Sequence, residues 1–185
     1  MRRVVGVALA AGVCLAAVGG AAAASAGRQD AGARARERAA RFNKDKHKVK
    51  EKRGVRLEVF VEMRAEPAVR SAAEYSGEYV AEPDFHLELR VAADGSAGGG
   101  GREPGDGGGR RFTLRDARVS GALLDATKVY EDGRTERLEG VFINLTARHG
   151  KDDAGTTSFG LGVVYDPPKT GDGFELGRLF YQRKR

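Results

Sequence analysis

From Tyr75 to Gln182 the chain is written as short alternating segments set apart by turn signals, with no helix-patterned gap between them. Phe85, Leu87, Leu89 and Val91 alternate with His86, Glu88 and Arg90, which is the pattern of a strand with one buried face. Seven other segments read as strands: Tyr75–Val80, Arg111–Arg115, Val119–Leu124, Ala126–Tyr130, Arg137–Ala147, Thr157–Tyr165 and Phe174–Gln182. Asp94-Gly95, Asp132-Gly133 and Asp172-Gly173 are hairpin signals, and Pro167-Pro168 stops the strand before it. A parallel sheet needs long crossovers, and these connections are short. The expected fold is mainly β: an antiparallel up-and-down meander of about eight strands, curled into a barrel or a strongly bent sheet. Glycines at 121, 140, 160, 162 and 177 fit such curvature. The glycine-rich stretch from Gly95 to Gly109 lacks the Gly-Lys-Ser/Thr ending of a phosphate loop and reads as a long flexible hairpin loop.

The N-terminus reads as an address. A basic head, Met1-Arg2-Arg3, precedes the apolar run Val4–Val18 and the small-x-small site Ala24-Ser25-Ala26. That is the layout of a cleavable secretory signal peptide over residues 1–26, and it predicts a periplasmic or secreted protein, with a bacterial source suggested by the Ala, Gly and Arg content. The run is short for a membrane span and no stop-transfer pattern follows, so no transmembrane span is expected after signal removal. The only cysteine, Cys14, lies inside this segment, so the processed chain is expected to fold without a disulfide.

Charge divides the remainder. Arg28–Arg56 carries twelve Lys/Arg against four Asp/Glu, whereas Leu57–Arg185 carries eighteen against twenty-two. The overall charge of +6 therefore belongs to an N-terminal arm and not to the body. Residues 27–70 form the expected basic, partly helical segment, and 71–185 the β domain. Arg34–Arg41 holds strong helix formers without a breaker. Beyond it, Phe42, Lys46, Val49, Arg53, Phe60 and Met63 recur at helical spacing, and helix is the preferred reading there. A strand from Val55 to Val61 is the alternative. Such an arm suits an anionic envelope surface, or serves as a solvated spacer. Nucleic acid is not expected as a partner, because the chain is exported and Gly27–Arg41 has no aromatic ring to stack on bases.

Tyr75-Ser76-Gly77-Glu78-Tyr79, followed by an alternating strand, Asp94-Gly95 and a glycine-rich stretch, resembles the opening of avidin-like and lipocalin-like small barrels. The tryptophan usual in that first strand is missing. The resemblance implies a one-ended cavity for a small apolar or amphipathic ligand. Its aromatic lining would come from Tyr79, Phe112, Phe142, Phe159, Tyr165 and Tyr181; the alternative is that these rings fill a dry core. Glu139-Gly140-Val141-Phe142 repeats the same local chemistry, similar to hairpin repeats of the MORN type, but at no fixed period.

No cofactor is expected. His47, His86 and His149 lack metal-ligand spacing, so no metal site is expected either. Acid pairs such as Asp152-Asp153 and Glu131-Asp132 fall in turns, and no serine has a nucleophile-elbow context. The catalytic residues of any enzyme here are unknown. The sequence favours a non-enzymatic exported barrel that binds a small ligand or an envelope component. The alternatives are a structural envelope protein tethered by its basic arm, and a hydrolase of envelope polymers.

Overall fold

The structure, a computed structural model, describes residues 19–52, 55–105, 109–150, 152–164 and 177–184. Eight antiparallel strands form a closed barrel: β3 (Gly77–Ala81), β4 (Phe85–Val91), β5 (Ser96–Glu103), β6 (Arg110–Ser120), β7 (Leu123–Tyr130), β8 (Thr135–Arg148), β9 (Thr156–Val164) and β10 (Arg178–Arg183). Around the wall the order is β8-β7-β6-β5-β4-β3-β10-β9, and β9 pairs back onto β8 through Gly140↔Val163 to Ala147↔Thr156. Two further strands, β1 (Lys44–Lys52) and β2 (Val55–Pro67), attach where β2 pairs with the C-terminal half of β8. Closure removes the free edges that an eight-stranded open sheet would expose.

Alternation decides what fills the barrel. Leu87, Leu89 and Val91 of β4, Leu124 and Ala126 of β7, Leu138 and Phe142 of β8, Leu161 and Val163 of β9, and Leu179 and Tyr181 of β10 are all buried. On β8 and β9 the opposite face is covered as well. Helix α1 (Gly19–Ala40) packs across β2 and β8, burying Ala31, Ala35 and Ala39 at a spacing of four. Phe42, just beyond the helix, lies against Gly162, where an added Cβ would stand 2.7 Å from the ring. Arg38 fastens the helix to the wall, donating to Glu139 at 3.0 Å and to Asp125 and the Gly140 carbonyl at 3.3 Å.

Two expectations are corrected. The glycine-rich stretch is not a flexible loop over most of its length, because Ser96–Glu103 is a central barrel strand paired on both edges. Glycine is required by the close approach of its neighbours. A Cβ on Gly99 would lie 2.0 Å from the Glu88 carbonyl oxygen, and one on Gly101 2.0 Å from that of His86. The helical reading of Phe42–Met63 also fails. Helix α1 stops at Ala40, and a β-hairpin follows, Lys44 pairing with Met63 through to Lys52 with Val55. β-Branched Val59 and Val61 and the strict alternation of lysine in β1 favour the pleated form. The strand alternative from Val55 is the one observed, extended to Pro67.

The two barrel ends differ. At one end a 3₁₀ turn, Ala72–Tyr75, carries Tyr75 into the barrel, where its ring stacks on Phe142 at 4.1 Å. The Tyr75 hydroxyl donates to the Ala68 carbonyl at 2.7 Å and accepts the Arg70 N–H at 2.8 Å. The other end, where β5, β7 and β9 terminate, is polar. Pro167-Pro168 and Asp172-Gly173 lie outside the described residues.

Candidate functional site

Five of the six aromatic residues expected to line a cavity, Tyr79, Phe112, Phe142, Phe159 and Tyr181, are among the described residues, on the inward face of the wall. Tyr79 and Phe142 are fully buried and stand 6.0 Å apart, with Phe159 6.4 Å and 6.3 Å from them. The Tyr79 hydroxyl donates to the Tyr75 carbonyl at 2.5 Å, and burial pushes its phenol up to about 12. The Arg70 guanidinium lies 4.1 Å above the Phe159 ring, which fixes the rim of this cluster. Tyr181 meets Phe85 edge-on at 6.0 Å. Phe112 stands apart from the other rings, 5.9 Å from Tyr130. Tyr165 lies outside the described residues.

Phe112 belongs to the polar end, where four residues not singled out in the sequence meet. Lys128, only 1% exposed at its side chain, donates to Glu103, which is itself buried. Tyr130 lies within reach of two carboxylates, Glu103 at 2.8 Å and Glu136 at 2.9 Å. A phenol has one hydrogen, so that proton is shared between them. Burial, then the Glu103 charge, raises the Tyr130 phenol above its ordinary value. Lys128 also stands 5.2 Å over the Phe112 ring, and Arg134 4.6 Å over that of Tyr130. Lys128 was legible, because it shares the inward parity of Leu124 and Ala126. Glu103 was not, because it ends the glycine run.

The third feature is the β1–β2 hairpin. Past Arg148, where β8 ends, β2 has only β1 as its hydrogen-bonded partner, and the pair continues as a two-stranded ribbon. On one face Lys44, Lys46 and Lys48 stand opposite Met63, Val61 and Val59, and the register continues as Lys50↔Leu57 and Lys52↔Val55. The hairpin acids Asp45, Glu51, Glu58 and Glu62 all take positions of the other face. There Glu58 lies 2.6 Å from His47, and Arg64 lies 2.9 Å from Glu62 and 3.6 Å from Asp45. Lys44, Lys46 and Lys48 are exposed and make no ion pair among the described residues.

A crevice of about 790 Å³ opens beside α1, between the helix, the end of β2 and the β6–β7 turn, and is lined by Ala35, Arg36, Asn43, Glu66, Pro67 and Ser120 among others. Among the described residues no metal-ligating side chains cluster, and no helix is long and apolar enough to cross a membrane. No family model, curated protein or solved structure matches the chain.

Proposed function

We propose that the chain is an exported, non-enzymatic β-barrel domain that associates with an anionic envelope surface through the β1–β2 ribbon. The reading rests on one observation: the lysines of β1 share a face that holds no acid, while every hairpin acid sits on the other. Clustered lysines attract an anionic surface additively and within about one Debye length of it. The basic head, apolar run and small-x-small site at the N-terminus support export. The barrel supplies a rigid base for the ribbon, since β2 is hydrogen-bonded into the wall over Glu62–Pro67. The test is fractionation in the producing host. Replacing Lys44, Lys46 and Lys48 by Gln should move the protein from the envelope pellet to the soluble fraction, with the fold retained. Unchanged fractionation refutes the reading.

A second reading, binding of a small amphipathic ligand, is favoured by the crevice beside α1, whose alanine-rich wall is edged by Arg36, Asn43 and Glu66. A native mass spectrum of protein purified from its host would then carry a mass above that of the bare chain; the bare mass alone sinks it.

A further inference from the structure

The ribbon carries more than charge. On the lysine-bearing face each lysine stands directly opposite an apolar residue, so a cationic row and an apolar row run side by side. Met63, at the base, packs against the hydrophobic core on the outer face of the wall, opposite Ala147 of β8. Val61 is half-buried, and Val59 is 36% exposed, one of only three large apolar side chains so exposed among the described residues. Leu57 and Val55 follow at the next positions of the same face toward the tip. Lysine along a free edge strand also discourages edge-to-edge pairing. That role does not account for the valine row beside it or for the transfer of all four acids to the opposite face.

A soluble polyanion needs only the cations. A lipid interface needs both rows, because lysine stems lie along apolar surface while their ammonium groups reach the headgroups, and apolar side chains enter the acyl boundary. Resting on the envelope reading above, we infer that the surface is a lipid bilayer with anionic headgroups, and that Val59 and Val61 insert at its interface with Lys44, Lys46 and Lys48 in the headgroup layer. The opposite face, where Val49 and Phe60 stand among Glu58, Glu51, Arg56 and His47, stays in water.

The chain has no tryptophan, so a single introduced one reports its own site. Val59→Trp and, on the opposite face, Val49→Trp are both at exposed positions, and Val61→Trp serves if the first disturbs folding as judged by circular dichroism. Protein is taken as the host processes it. It is mixed with vesicles of phosphatidylglycerol and phosphatidylcholine, with pure phosphatidylcholine vesicles, and with soluble polyphosphate. The expected result is a blue shift and protection from aqueous quencher for the V59W indole with the anionic vesicles alone, and none for the V49W indole. Changing Lys44, Lys46 and Lys48 to Gln should weaken vesicle binding by roughly a hundredfold, at about 1 kcal/mol for each lysine. Binding to anionic vesicles with no shift at position 59 or 61 overturns insertion, as does an equal shift at 49. Binding to polyphosphate but not to vesicles overturns the lipid assignment and leaves the envelope reading standing. Failure to bind any of them removes both.

Discussion

Replacing Lys128 by Met tests whether the polar end of the barrel is a mutually dependent unit. The ammonium is buried between Glu103, to which it donates, and Glu136, 3.8 Å away. Methionine matches the stem in length and leaves a thioether near the Phe112 ring, so packing changes little. What changes is charge. Glu103, with a side chain 5% exposed, loses the ammonium it accepts from and keeps the Tyr130 hydroxyl at 2.8 Å. Breaking a buried pair by removing one partner costs about 3–5 kcal/mol. The reverse change, Glu103→Leu, should cost less, because Lys128 keeps Glu136 at 3.8 Å. The double variant removes both charges, and Tyr130 still has Glu136 as an acceptor at 2.9 Å. Its stability should return to within about 2 kcal/mol of the parent, since a buried pair replaced by apolar groups is often neutral. Urea unfolding of the four proteins, with unchanged slopes, completes the cycle. A Lys128→Met loss below about 1 kcal/mol, or a double variant no better than the sum of the singles, refutes the claim that the two charges are held by each other.

Two further outcomes follow from the barrel. Gly99→Ala places a Cβ 2.0 Å from the Glu88 carbonyl oxygen at a φ of +141°, and should cost about 3 kcal/mol or more. Gly98→Ala on the same strand meets nothing within 4 Å and should cost about 1 kcal/mol or less, and equal urea midpoints for the two would refute the close-approach argument. The Tyr79 phenol titrates at about 12 when folded, against 10.0 as its ordinary value. An acid whose folded value is raised contributes fully below the unfolded value and loses that contribution as pH rises toward the folded one, so stability should fall between pH 10 and 12, by about 3 kcal/mol at most from this group. Tyr79→Phe should flatten that slope, and an unchanged slope would show that Tyr79 does not carry it.

Much of the barrel was legible because alternation and turn chemistry are local. Phe85–Val91 shows period two in seven residues, and Gly95 and Gly133 take the positive φ that their Asp-Gly turns demand. Residues 96–103 were opaque for the opposite reason. A strand of glycines carries no alternation, and what makes it a strand is the approach of Glu88, His86 and Phe112 from its two neighbours, none of which is local to it. The hairpin at 44–67 carried two periods at once, apolar residues at helical spacing and lysine at every second position. Pairing with β8 selects the strand, and only tertiary context supplies that partner. The clustering of Tyr79, Phe142 and Phe159 toward the plugged end, with Phe112 near the polar end, depends on barrel closure. Lys128 could be found by parity; Glu103, its partner, could not.

Closure also sets the relation between the ribbon and the polar end. β8 begins at Thr135 beside the polar cluster and ends at Arg148, where the ribbon leaves the wall. The 3₁₀ turn that plugs the barrel with Tyr75 closes that same far end. Docking through Val59 and the lysines would lay the ribbon flat, and because that face continues through Met63 and Ala65 into the outer face of β8 at Ala147 and Leu145, it would turn the α1 side of the barrel toward the surface. The stacked rings of Tyr75 and Phe142 make the plugged end a rigid base. Because β2 is part of the wall from Glu62 to Pro67, a force on the ribbon is carried into β8 by backbone hydrogen bonds and not by a flexible linker. Orientation is thus built into the attachment: a ribbon fixed by six cross-strand positions holds the barrel at one attitude, where a disordered basic arm of equal charge would give affinity without direction.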